Sequence, residues 1–227
     1  MQSNWTAVLP WTDPIDAALA RLREDGFVAY PTETVWGLGA CADRPEAIDR
    51  LMAWKGRASE TPLAVLTPSA ASVSDLGCRL EGRALVLAEH FWPGPLMLVL
   101  PCDRSWAKGV AGAEGALGVR CSPHPIAMAL AEGLHAAGLG PLTSTSFNRS
   151  GDPPAICEQE ARALLVTARR PQADSSQETD LGEPLFVSAK NVDAGAELPS
   201  TVVDCTGDRL TVLRVGAIAA EAIEEIG

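Results

Sequence analysis

Lys55-Gly56-Arg57, Arg120 and Arg214 are cations that each follow a run of apolar residues, and small polar groups crowd the same kind of boundary at Thr32-Glu33-Thr34, Thr143 to Asn148, and Ser200. An ammonium is a movable point charge and a guanidinium a planar fork. Two positions apart, with a glycine between them to let the backbone approach, they suit a polyphosphate. They equally suit an ordinary solvated helix end, where cations favour the dipole. The run Thr143-Ser144-Thr145-Ser146-Phe147-Asn148 is harder to explain by packing, because a buried hydroxyl left unpaired costs about 1–3 kcal/mol. Phosphate and ribose oxygens would supply partners, and so would a cap or a turn.

The apolar patterning predicts elements that could bring these groups together. Asp13-Pro14 followed by Ile15, Ala18, Leu19 and Leu22 predicts a helix closed by Gly26, and Gly26 to Tyr30 a strand that runs out through Pro31 into a Gly-rich turn, Gly37-Leu38-Gly39. A second helix begins at Pro45 and delivers Lys55 and Arg57 at its end. Strands are expected at 62–66, 96–100 and 116–120, the last ending on Arg120, with helices at 81–92 and 125–137 and a rigid turn at Trp92-Pro93-Gly94-Pro95. The hydroxyl run is expected at the end of a strand or in the turn after it, followed by a helix near 158–170. The acidic stretch 171–183 reads as a mobile surface loop, Thr201–Cys205 and Arg209–Arg214 as a hairpin, and 217–226 as a final helix. Strands alternating with helices predict a layered α/β fold with a mixed sheet, whose strand ends are where ligands bind.

Composition narrows the function. The 227 residues, 47% of them hydrophobic, suffice for one domain over 1–227 with a sizeable core. No apolar run approaches the roughly 20 residues of a membrane span, and the N-terminus MQSNWTAVLPW lacks the pattern of an export signal, so a soluble cytoplasmic protein without membrane contact is expected. A net charge of −11 argues against stable nucleic-acid binding, although a concave site can hold an anion whatever the total charge. The six cysteines show no C-x-x-C spacing, and His90, His124 and His135 do not cluster with them, so no protein metal site is expected. P-loop, dinucleotide and G-x-S-x-G signatures are all missing. His124, between Pro123 and Pro125, is either a base or a residue that opens a helix.

In order along the chain stand Tyr-Pro-Thr-Glu-Thr-Val-Trp-Gly-Leu-Gly-Ala, Lys-Gly-Arg, Trp-Pro-Gly-Pro-Leu, Gly-Val-Arg with Pro-His-Pro after it, Ser-Thr-Ser-x-Asn-x-Ser-Gly, Pro-Ser-Thr-Val-Val-Asp and Leu-Arg-x-Gly. Together, over roughly residues 15–218, they resemble the YrdC/TsaC family of L-threonylcarbamoyladenylate synthases. The resemblance implies a YrdC-like twisted mixed sheet flanked by helices around a cationic cavity, in a short form without a further C-terminal domain. It implies a nucleotidyltransferase that converts L-threonine, bicarbonate and ATP into threonylcarbamoyl-AMP and pyrophosphate, the first step of tRNA threonylcarbamoyladenosine modification, with partner proteins for the later transfer. Mg²⁺ would be bound mainly through ATP. Lys55 and Arg57 would be catalytic and, with Ser146, Asn148 and Arg214, would hold ATP. Thr32, Arg120, Ser144 and Ser200 would hold threonine, and no dedicated base is needed. The alternatives are an RNA-binding or ribosome-associated module, or a relative using another carbamoyl-type acceptor. The chain departs from the family at Trp36, where Tyr or Phe is usual, at Phe147, where Ala is usual, and at Ala58 and Thr61.

Overall fold

A computed structural model describes residues 12–56, 62–106, 109–110, 115–168, 182–188 and 198–226. Arg57, Ala58, Thr61 and most of the acidic stretch, 171–181, lie outside the described residues. Among the described residues no helix is long and apolar enough to cross a membrane.

The helices fall where apolar spacing and punctuation predict them. They are α1 (Thr12–Arg23), α2 (Pro45–Lys55), α3 (Gly82–Phe91), α4 (Pro125–Ala136), α5 (Glu158–Ala168) and α6 (Ala220–Ile226), with a short 3₁₀ helix at Ala71–Leu76. Pro45 and Pro125 occupy first-turn positions, where the missing N–H costs nothing. Gly56 ends α2 in the left-handed region at φ 67°, where a side chain would be strained. His124 proves to be the residue that opens α4: its Nδ1 accepts the Ile126 N–H at 3.3 Å.

Among the described residues nine strands form one mixed sheet. They are β1 (Phe27–Tyr30), β2 (Gly37–Ala40), β3 (Ala64–Leu66), β4 (Leu96–Pro101), β5 (Ala116–Arg120), β6 (Thr143–Ser146), β7 (Leu185–Phe186), β8 (Thr201–Asp204) and β9 (Thr211–Arg214), in the order β7-β1-β2-β6-β3-β5-β4-β8-β9. Three pairs, β1/β7, β3/β5 and β4/β8, are parallel and the others antiparallel. One face carries the larger core, built from Leu38, Val65, Leu98, Leu117, Val119 and Val203 with the apolar sides of α2, α3 and α6. The other face is covered at one end by α1 and α4, through Val28, Tyr30, Leu66, Ala18 and Leu130.

Two segments differ from the sequence-based expectation. Gly37-Leu38-Gly39-Ala40 is not a turn but the buried strand β2, antiparallel to β1 and β6. Glycine ordinarily weakens a strand, unless a neighbour must come close. A Cβ on Gly39 would lie 2.3 Å from the Thr143 carbonyl oxygen, and one on Gly37 would lie 2.9 Å from the Tyr30 ring. Likewise Thr143 to Ser146, expected at a strand end or in the turn after it, is itself the interior strand β6. Its first hydroxyl serves the sheet: Thr143 Oγ1 accepts the Ala40 N–H at 3.0 Å. Gly39→Ala is therefore expected to cost about 2 kcal/mol or more by overpacking. A lowered urea midpoint with an unchanged slope would show it, and an unchanged midpoint would mean that β2 and β6 part without penalty.

Candidate active site

Beside α1 and α4, the same face of the sheet is left open and forms a cavity of about 640 Å³. Strand alternation decides what it sees. In β5, Leu117 and Val119 point into the larger core, so Gly118 and Arg120 take the open face. Residue pairing then carries that face across the sheet: Leu66 opposes Arg120, Arg120 opposes Met97, Met97 opposes Val202, and Val202 opposes Arg214. Adjacent strands are about 4.8 Å apart, so Arg120 and Arg214 stand at the two ends of a row roughly 14 Å long with an apolar floor between them. Ala64 and Gly118 keep the floor low, since a Cβ on Gly118 would lie 3.3 Å from both the Ala64 Cβ and the Met97 sulfur.

The walls are polar. Ser144 and Ser146 come from β6, Thr34 from the β1–β2 loop, and Ser200 and Arg214 from β8 and β9 and their approaches. Ser200 Oγ is buried and has no hydrogen-bond partner, a vacancy that a ligand oxygen or nitrogen would fill. The carbonyl of the same residue accepts Arg214 Nε at 3.2 Å and Nη2 at 2.9 Å, which fixes the guanidinium at the rim. Burial lowers the Arg214 pKa, and the like charge of Arg120 lowers it further.

Behind Ser146, α2 and β6 meet at Lys55. Its Nζ donates to Asn148 Oδ1 at 2.7 Å, to Asn148 O at 3.2 Å and to Ser146 O, with Ser146 Oγ at 3.5 Å. Asn148 Oδ1 also accepts from Ser146 Oγ at 2.7 Å. Lys55, Ser146 and Asn148, separated by up to 93 positions, thus form one cluster. Phe147 lies between two of them, but its ring turns to the opposite face and stacks on Trp54 at 5.0 Å, outside the cavity wall. Trp36, by contrast, lines the cavity and stacks on Phe186 at 4.7 Å.

Thr32 takes a different place from its neighbour. Its hydroxyl donates to Val35 O at 2.7 Å and accepts the Thr34 N–H at 3.2 Å, which closes a tight loop, and Thr34 is the threonine on the cavity wall. Arg120 Nη2 donates to Thr34 Oγ1 at 3.3 Å and to Glu33 Oε1 at 2.6 Å. Ser122 donates to the other Glu33 oxygen. The roles of Glu33, Ser122 and Thr34, and the floor made by Met97, Val99, Val202 and the small residues, were not legible from motif order.

Cys41, Cys121 and Cys205 are not poised as nucleophiles. Burial pushes the Cys41 and Cys205 thiols up to about 12 and Cys121 to about 11, far from the range in which a thiolate forms near neutrality. Among the described residues no group of three or more His, Cys, Asp or Glu is arranged to hold a metal ion. What the site offers is cations, hydroxyls and an apolar floor.

Known proteins carry the same architecture. A sequence model of the Sua5/YciO/YrdC family, described as telomere recombination, matches residues 20–216. A Bacillus subtilis protein named threonylcarbamoyl-AMP synthase is 35% identical over 225 residues, covering 97% of this chain and 59% of its own length. A Xanthomonas campestris protein of the same name is 36% identical over 180 residues, covering 77% of this chain and 90% of its own. A crystal structure of Pyrococcus abyssi Sua5 complexed with L-threonine superposes with a TM-score of 0.77 at 30% identity, over 93% of this chain and 56% of that one. This chain therefore spans a little over half the length of the Bacillus and Pyrococcus proteins.

Proposed function

The chain belongs to the Sua5/YciO/YrdC family, and from that premise we propose that it makes L-threonylcarbamoyl-AMP and pyrophosphate from L-threonine, bicarbonate and ATP. The observation that carries the reading is the row from Arg120 to Arg214, with hydroxyls on the cavity walls and, at Ser200 of the lining, a buried Oγ without a partner. One end suits an amino-acid carboxylate and the other a nucleotide. Arg120 clamps the threonine carboxylate. Thr32, Ser144 and Ser200 serve its ammonium and hydroxyl, with Thr32 acting as the brace that holds Thr34 at the wall. Lys55, Arg57, Ser146, Asn148 and Arg214 hold the nucleotide.

The chemistry then asks for positioning and charge. The threonine amine, having lost a proton, attacks bicarbonate to give the carbamate and water, or carbon dioxide to give the carbamate and a second proton. A carbamate oxygen attacks the α-phosphorus, and the bond to the β-phosphate oxygen breaks with release of pyrophosphate. Negative charge grows on the phosphoryl oxygens in that step, so oriented cations contribute most of what the protein can supply. Mg²⁺ would be carried by the phosphates, since among the described residues the cavity walls present Arg214 and hydroxyls rather than carboxylates. The product would pass to threonylcarbamoyl-transfer proteins acting on tRNA.

Pyrophosphate release by the purified protein is expected only when L-threonine, bicarbonate, Mg²⁺ and ATP are all present. Serine, valine and glycine in place of threonine separate this reaction from one with another acceptor. Turnover that ignores threonine, or none at all, would count against the reading.

A further inference from the structure

The carboxylate of Glu33 has no part in the scheme above, yet it holds the guanidinium to which that scheme gives the substrate carboxylate. Arg120 Nη2 lies 2.6 Å from Glu33 Oε1, and Ser122 Oγ donates to Oε2. The Arg120 and Glu33 side chains are 8% and 15% exposed, so solvent screens them weakly. With both carboxylate oxygens engaged and Nη2 turned back toward Thr34, the guanidinium plane is fixed, while Arg120 Nε remains buried with no hydrogen-bond partner.

This pairing also sets the charge along the row. Arg120 and Glu33 sum to zero. Arg214 holds a carbonyl oxygen instead, and among the described residues it forms no ion pair. The row thus has an unbalanced cationic end at Arg214, on the cavity wall, and an end without net charge at Arg120 and Glu33, buried directly behind Thr34 of that wall. A polyphosphate is drawn to the first. An α-amino acid is a zwitterion, itself without net charge, and matches a fixed cation with a carboxylate beside it.

We propose that Glu33 is a positioning and specificity residue: it fixes the Arg120 guanidinium and cancels its charge, so that this end of the cavity takes a zwitterionic amino acid in preference to a second phosphate anion. The inference rests on the proposed reaction and deepens it.

Glu33→Gln keeps an acceptor for Arg120 and drops the charge, whereas Glu33→Asp keeps the charge and moves it back. In the full chain, Glu33→Gln is expected to raise the threonine KM about tenfold, with the loss falling in KM rather than kcat and the ATP KM changing by less than about twofold. Added inorganic phosphate is expected to raise the threonine KM further in Glu33→Gln, and not in the wild type or in Glu33→Asp. Glu33→Asp, with its shorter reach, should still show a raised threonine KM. An unchanged threonine KM in Glu33→Gln overturns the positioning role. Equal phosphate sensitivity in the wild type and Glu33→Gln, or a phosphate-sensitive Glu33→Asp, overturns the charge role. A parallel fall in kcat and rise in both KM values, with a lowered melting temperature, reduces Glu33 to a structural residue. A wild type without threonine-dependent turnover defeats the proposed reaction itself, and that result is read before any variant.

Discussion

Lys55→Ala is expected to lower threonine-dependent pyrophosphate release by about 10²-fold or more, mostly in kcat. The ammonium stands at the end of α2, where Gly56 turns the chain, and reaches the backbone and side-chain oxygens of Ser146 and Asn148. The Lys55 carbonyl in turn accepts the Ser150 N–H at 2.8 Å. Residue 55 therefore ties the end of a helix to the end of the central strand by both its main chain and its side chain. Truncation removes a cation next to the Ser146 wall and releases the two groups that it orients. The transition state loses more than the ground state, because charge develops on the phosphoryl oxygens only as the bond to pyrophosphate breaks. Lys55→Arg should not restore the rate: a planar fork cannot meet acceptors that a rotating ammonium meets from a buried position. A Lys55→Ala enzyme within about threefold of the wild type, well below the effect expected of an oriented donor, would remove Lys55 from the mechanism.

Arg120→Ala is expected to raise the threonine KM by about 10²-fold and to lower stability as well. The stability loss follows from burial. With the guanidinium gone, the Glu33 carboxylate is left in a site where its partner was 2.6 Å away, and removing one member of a buried pair costs about 3–5 kcal/mol. The two effects are separable. Adding Glu33→Gln to Arg120→Ala removes the stranded charge, so the double variant should recover much of the melting temperature while threonine use stays lost. Recovery of both would mean that Arg120 acts only through stability. An Arg120→Ala enzyme whose threonine dependence matched the wild type would overturn its part in substrate binding.

The departures from the family pattern also acquire physical content. Phe147 is accommodated because β6 alternates. Ser144 and Ser146 face the cavity, while the next residue points into the core, where Trp54 supplies a stacking surface. Trp36 is a residue of the cavity lining whose fully buried indole packs into the same core, held flat against Phe186.

The helices, the existence of most strands, the mixed α/β class and the family can all be read along the chain. Each rests on local information: apolar spacing at Ile15, Ala18, Leu19 and Leu22, prolines at the first turns of α2 and α4, and ordered motifs that keep their residue types. Only the tertiary structure decided that Gly37–Ala40 and Thr143–Ser146 are strands, because what makes them so is the close approach of β2 to β6 and the bond from Ala40 N–H to Thr143 Oγ1, across 103 positions. It alone decided that Thr34 rather than Thr32 reaches the cavity wall, that Arg120 and Arg214 end one row, and that Glu33 belongs to Arg120. Register between strands and the partner of a buried charge are properties of pairs far apart in the chain, and no local pattern encodes them.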